Sequence, residues 1–143
     1  MDLESWSQCL KVLADPTRVR LLALLEHEEL TVAELASITG LAQPRVSTHL
    51  AKLKEFDLVR DRRSGVSSYY RFNDKDLEPA EHSLWQALRS GTDDPLLKQD
   101  FDQIMRQNQN LATQFAGLLA SRLMSVRHEV YEPKLTPKEV HAK

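Results

Sequence analysis

LTVAELASITGLAQPRVSTHLAKL, residues 30–53, is the stretch that decides the fold. Thr31-Val-Ala-Glu34 is a capping-box pattern: the threonine hydroxyl takes a backbone N–H three residues on, and the glutamate reaches back to the threonine's own N–H. The helix it opens closes at Gly40, because a helix C-terminus favours a left-handed residue and glycine adopts that conformation without steric cost. Residues 41–43 then form a turn. Gln43 stands at the cap of the next helix and Pro44 in its first turn, where a missing N–H costs nothing. Two helices joined by so short a turn are a helix–turn–helix.

The second helix of the pair divides cleanly by face. At about 100° per residue, Val46, Leu50 and Leu53 fall on one side and must pack on the body of the protein. Arg45, Thr48 and Lys52 lie opposite, and Ser47 and His49 flank the apolar stripe. Base edges in the major groove of DNA present donors, acceptors and the thymine methyl, which suit Arg, Gln, Ser and Thr. A recognition helix reads mainly with its N-terminal half, here Gln43, Arg45, Ser47, Thr48 and His49. Lys52 lies one to two turns further on, where a phosphate is the better match. His49 fits equally as a contact or as a packing residue, and Gln43 as a contact, a cap or both.

The flanking segments supply the rest of the architecture. Leu3, Trp6, Leu10 and Leu13 recur at helical spacing. Asp15 and Pro16 read as the cap and first residue of a leucine-rich helix running to about Glu26. After the reader helix come two strand-like runs, LVRDRR (58–63) and VSSYYRF (66–72), separated by Ser64-Gly65, a hairpin signal. Arg62 and Arg63 stand just before the hairpin tip, where an arginine can enter the minor groove of DNA. Strand alternation points them to opposite faces, so one is expected to reach DNA and the other to pair with Asp61 or meet solvent. Tyr70 with Phe72 reads as core.

Beyond Asp76 the pattern is helical again. One helix spans roughly 78–90, and Asp94-Pro95 starts another that extends to about residue 130. Leu97, Phe101, Ile104, Asn108, Leu111, Phe115 and Leu118 alternate four and three apart along it, the spacing of a heptad seam. Such a helix is about 50 Å long, too long to bury its stripe on so small a core, so a partner helix is expected. The expected fold is mainly α with a small β-hairpin. Residues 1–75 form a winged helix-turn-helix domain, residues 76–132 a C-terminal helical dimerisation or effector extension, and residues 133–143 a flexible tail.

Composition narrows the function classes. Of 143 residues 41% are hydrophobic and 28% charged, enough for a core without metal or disulfides. Cys9 is the only cysteine, so no intrachain disulfide is possible and a reducing compartment is expected. MDLESWSQCL has no basic stretch before an apolar run and does not read as a signal peptide. The longest apolar run, LLALL at 21–25, is too short to span a bilayer. The expected setting is the cytoplasm, with no membrane partner. Net charge is −2, yet residues 43–75 hold eight Lys or Arg against four acids, a +4 island on a chain whose remainder is −6. That island coincides with the reader helix and wing, and neutralised phosphates reward it by releasing counterions. Glycine-rich phosphate loops, G-x-S-x-G and H-E-x-x-H are all absent, so the sequence reads as no enzyme and calls for no cofactor.

LKVLADPTRVRLLALL, LTVAELASITGLAQPRVSTHLAKLKEFDLV and RDRRSGVSSYYRF together resemble the ArsR/SmtB family of bacterial winged-helix repressors, over about residues 5–73. The resemblance rests on the D-P-T-R helix start, V-A-E-L, Q-P-x-V-S-x-H-L and G-x-x-x-Y-Y. It implies a homodimeric repressor on a palindromic double-stranded operator, released by an effector. It also implies Gln43, Arg45, Ser47, Thr48 and His49, with Arg62 and Arg63 of the wing, as the reading residues. The first half is most similar to regulators associated with S-adenosylmethionine-dependent methyltransferases, some of which respond to S-adenosylhomocysteine. The chain departs from metal-sensing members: Ala36, Ser37 and Ile38 stand where a C-x-C is common, and one cysteine cannot build a thiolate site. His128 and Glu132, one helical turn apart, are a workable ligand pair, but a solvated helix end is the plainer reading. The alternative function is a non-enzymatic protein-interaction module, with the winged helix and long helix binding a protein partner.

Overall fold

The computed structural model describes the backbone of residues 1–131 and the side chains of 1–109 and 113–123. Nine elements follow in order: α1 (Leu3–Leu13), α2 (Pro16–His27), β1 (Leu30–Thr31), α3 (Val32–Thr39), α4 (Gln43–Glu55), β2 (Val59–Ser64), β3 (Ser67–Phe72), α5 (Pro79–Gly91) and α6 (Pro95–Tyr131). They fall into a first compact unit, 1–104, and a second from Met105 onward, which among the described residues is the remainder of α6.

Local chemistry sets the helix starts. The Asp2 carboxylate accepts from Ser5 N at 2.7 Å and caps α1. Asp15 accepts from Thr17 N at 2.8 Å and Arg18 N at 3.3 Å, while Pro16 has no N–H to satisfy. The Thr31–Glu34 capping box forms as the sequence predicts, and α3 ends at Gly40 with φ 74°. At α4 the structure corrects the cap by one residue. Ala42 is the cap, Gln43 is already helical, and no side chain closes the start. That frees the Gln43 amide from a capping role.

The far end of α4 is a Schellman motif: Leu58 N donates to Leu53 O and Asp57 N to Lys54 O. It needs a left-handed residue, and Asp57 supplies it with φ 58°, the only non-glycine with positive φ among the described residues. The Asp57 carbonyl accepts from Asn73 Nδ2 at 2.9 Å, which ties this corner to the end of β3.

The sheet has three strands in the order β1-β3-β2, all antiparallel. The sequence reading foresaw the hairpin of β2 and β3 but not β1, whose two residues pair Leu30 with Tyr70 and Thr31 with Tyr69. Thr31 thus serves both as strand end and as helix cap. The hairpin loop is Gly65-Val66, since Ser64 already pairs with Ser67. Only the first loop position has positive φ, at 61°, the pattern of a type II′ turn.

One core gathers these elements. α2 lies at its centre, burying Leu21, Leu22, Leu24 and Leu25, with Leu35, Val46, Leu50, Leu53, Val59 and Phe72 packed round it. Trp85 of α5 stacks near Phe72 at 5.6 Å between ring centroids and donates its Nε1–H to Glu26 at 2.5 Å. α1 buries Cys9 and Val12; of the Leu3, Trp6, Leu10 and Leu13 stripe read from the sequence, Leu13 packs against the core while Leu3 is 89% exposed.

The long helix also departs from expectation. Its seam does not need a partner throughout: Leu97 and Ile104 are buried in the first unit and Phe101 packs against the same core. Asp100, 2% exposed, receives Arg20 of α2 through both oxygens at 2.9 Å. Arg20 Nη2 also donates to Thr39 O at the end of α3. Further along, Phe115 and Leu118 are 64% and 69% exposed, with Leu123 similar. The seam is therefore two surfaces, one satisfied within the chain and one bare. Leu111, His128, Glu132 and the segment 133–143 lie outside the described side chains or residues. Among the described residues no helix is long and apolar enough to cross a membrane.

Candidate nucleic-acid interface

α4 is held by Val46, Leu50 and Leu53, all buried, so the core fixes which of its sides face outward. Gln43, Arg45, Ser47, Thr48 and Lys52 are exposed, and His49 is half-buried. Thr48 is exposed and turns its hydroxyl back to donate to Pro44 O at 2.9 Å. Two reader residues lean on the start of α2: Arg45 Nη2 reaches Thr17 Oγ1 at 3.4 Å, and His49 Nδ1 accepts from Arg18 Nε at 3.3 Å. Both lie on one flank of the helix, so α2 braces that flank; Ser47 is on the other.

The wing stands beside the reader helix, tied to it by Lys54 of α4 and Asp61 of β2 at 2.9 Å. Hydrogen bonding to that carboxylate, and its charge, raise the Lys54 pKa. The two wing arginines part as alternation requires, though not with the partner the sequence suggested. Asp61 is taken by Lys54, and Arg62 pairs with Glu29 at 2.7 Å while lying over the Tyr69 ring at 4.8 Å. Arg63 is exposed beside the tip and has no carboxylate partner among the described residues.

Pairing decides how much of the basic island is available. Lys52, Lys54, Arg60 and Arg62 are engaged with Glu55, Asp61, Asp76 and Glu29. Arg45, Arg63, Arg71 and Lys75 face no carboxylate within pairing distance among the described residues. The two free cations nearest the reading surface are thus Arg45 on α4 and Arg63 at the wing. Sequence reasoning missed Arg18 and Glu29, which act on the surface from α2 and from the turn before β1. The D-P-T-R motif marked Arg18 as part of a helix start, but only the fold shows that it touches α4.

Nothing in this region resembles a metal centre. Among the described residues no three His, Cys, Asp or Glu side chains converge to hold an ion. Cys9 is buried, and that burial, reinforced by Glu81, raises its thiol pKa, the opposite of what a thiolate ligand requires.

A helical body, a reader helix with a free polar face and a two-stranded hairpin pinned beside it define a winged helix-turn-helix protein. The sequence profile described as "Bacterial regulatory protein, arsR family" matches residues 15–61. The Arsenic resistance transcriptional regulator ArsR1 of Pseudomonas putida is 47% identical over 64 residues, 44% of this chain and 50% of that protein. The chain therefore spans about half the length of that relative. The Transcriptional repressor SdpR of Bacillus subtilis is 30% identical over 84 residues, 59% of this chain and 93% of the repressor. Among solved structures, the homodimeric winged helix-turn-helix DNA-binding domain of a possible ArsR-family transcriptional regulator from Mycobacterium bovis superposes with TM-score 0.54. It is 31% identical and covers 62% of this chain and 78% of its own. The chain belongs to the ArsR family.

Proposed function

We propose that this protein is a homodimeric, sequence-specific DNA-binding repressor that leaves a palindromic operator when an effector binds. The observation that carries the reading is the free polar face at the N-terminal half of α4, with Arg45 and Arg63 as cations not committed to carboxylates. Gln43, Arg45, Ser47 and Thr48 would meet base edges in the major groove, and His49, Lys52, Arg62 and Arg63 the flanking backbone or minor groove. Arg62 would have to exchange Glu29 for phosphate, which makes Arg63 the stronger wing contact.

Two bare apolar edges support self-association: Leu3 and Leu10 on α1, and Phe115, Leu118 and Leu123 on α6. Two-fold symmetry would place two reader helices about one DNA turn apart, roughly 34 Å, on a palindrome. Occlusion of a promoter by so small a dimer favours repression. The effector is open to a direct trial. The resemblance of the first half to methyltransferase-associated regulators makes S-adenosylhomocysteine the first ligand to test, by its effect on the melting temperature.

The test of the function is fluorescence anisotropy against DNA from upstream of the gene, over a range of salt. Preference for one segment over random DNA, weakening with salt, supports the reading. Equal binding to every sequence at low salt defeats it, and the operator claim with it.

A further inference from the structure

Among the described residues His49 has a hydrogen bond on one ring nitrogen and none on the other. Arg18 Nε donates to Nδ1 at 3.3 Å, and Arg18 Nη1 donates to Val12 O of α1 at 3.2 Å. The base of Arg18 is fixed in turn by the Asp15 cap, which accepts its backbone N–H. A guanidinium offers donors only and keeps its proton at any pH a protein survives. Nδ1 must therefore present its lone pair, and the neutral imidazole carries its proton on Nε2. Asn73 Oδ1 is the one buried side-chain polar atom without a partner among the described residues. Nε2 of His49, which makes no hydrogen bond among the described residues, is consequently open to solvent.

We propose that Arg18 is a positioning residue: through His49 Nδ1 it fixes the imidazole at the rim of α4 with its proton on Nε2, where that N–H donates to a phosphate oxygen of bound DNA. The phosphate rests on the DNA-binding reading above; the tautomer rests on the intrachain geometry alone. A phosphate rather than a base edge follows from position. His49 sits on the flank of α4 turned toward α2, next to the buried stripe, and not on the outward face that Thr48 occupies. A donor on the rim of a helix lying in the groove meets the groove wall, which is sugar and phosphate. Arg18 also joins α1, through Val12 O, to the reader helix, so a single side chain sets His49 relative to both.

The experiment has two arms. In DNA-free protein labelled with nitrogen-15, the proton-coupled imidazole spectrum of His49 should show one fixed tautomer, protonated at Nε2. Arg18→Met should return the ring to exchange between tautomers while thermal unfolding shows the protein still folded. A wild-type ring already exchanging, or one unchanged by Arg18→Met, overturns the positioning role.

In the second arm, DNA binding is measured on the preferred segment and on random duplex. His49→Asn keeps a group near Nδ1 but nothing near Nε2; His49→Gln carries its amide out toward the Nε2 position. Asn should weaken binding to both DNAs alike, by about tenfold, the scale of a hydrogen bond to a charged group, whereas Gln should stay within about threefold of wild type. Arg18→Met should follow Asn, and Arg18→Lys, which restores a donor, should recover part of the loss. Loss on the preferred segment alone would make His49 a base reader and overturn the phosphate assignment, as would full binding by Asn. A wild-type protein that binds no DNA defeats the functional reading and the phosphate contact together, and the spectroscopic arm separates that from failure of the Arg18–His49 geometry.

Discussion

Replacing Asp100 with Ala should be among the most damaging single changes in the first unit. Asp100 is 2% exposed, and its side chain meets both Nε and Nη2 of Arg20 at 2.9 Å, a bidentate pair whose arginine side chain is 14% exposed. Hydrogen bonding to that carboxylate keeps the Arg20 pKa above its usual value even though burial works against the charge. Removing one partner of such a pair leaves a buried guanidinium without compensation, at a cost of about 3–5 kcal/mol. The loss spreads, because Arg20 Nη2 also holds Thr39 O at the end of α3, directly before the turn into α4. For a unit of this size each kcal/mol moves the melting temperature by roughly 4–8 °C, so Asp100→Ala should fall by at least about 12 °C. The assay is thermal unfolding followed by circular dichroism and by tryptophan fluorescence, completed as a double-mutant cycle with Arg20→Met. The double variant Arg20→Met, Asp100→Leu should regain most of the loss, since an apolar pair of similar volume replaces a buried ion pair at little cost. A fall under about 4 °C for Asp100→Ala, or strict additivity in the cycle, would refute the claim that this pair fastens the start of α6 to α2 and α3.

Four further outcomes follow from single observations. Arg63→Ala should weaken binding to all DNAs alike and flatten the dependence of log affinity on log salt by about one unit per protomer, read by anisotropy at several salt concentrations; an unchanged slope would place the wing tip away from DNA. Asp57→Gly should stabilise the protein by about 1 kcal/mol, because the left-handed conformation at φ 58° strains a residue with a Cβ, and chemical denaturation would show a higher midpoint with the same slope. Leu118→Glu with Phe115→Ser should leave the melting temperature of the first unit unchanged but shift the mass measured by light scattering toward monomer if the bare part of α6 is an interface. Burial, with Glu81 reinforcing it, holds the Cys9 thiol protonated beyond its ordinary range, so iodoacetamide should react more slowly than with unfolded protein at neutral pH, the gap closing only in strong base.

The fold was legible wherever the determining interaction is short in sequence. Asp15-Pro16, Thr31–Glu34 and Gly40 state their own local structure through groups two to four residues apart, and the structure agrees. β1 was not legible, since two residues carry no alternation to count; Leu30 and Thr31 become a strand only because Tyr69 and Tyr70 lie alongside. Nor could spacing say what covers an apolar stripe. On α1 the Leu3-Trp6-Leu10 edge and the inner Cys9-Val12 edge have equally helical spacing, and α2 and the rest of the core decide between them. On α6 the same four-and-three rhythm runs through Ile104, fully buried, and Phe115, mostly bare.

The exposed face of α4 was legible for a different reason. Val46, Leu50 and Leu53 fix the rotation of α4, and that rotation leaves Arg45 and Thr48 exposed. Charge is not local in that way. Arg62 and Arg63 are neighbours in sequence with the same side chain, yet one is tied to Glu29, 33 residues away, and the other is not tied at all among the described residues. Exposed pairs of this kind contribute at most about 1 kcal/mol, too little to shape the fold and enough to decide which cation is left without a carboxylate. The same holds for His49, whose proton is placed by an arginine 31 residues earlier. A sequence can therefore show which residues of α4 stand clear of the core, while the pairing and hydrogen bonding that would make them donors for DNA are properties of the folded surface.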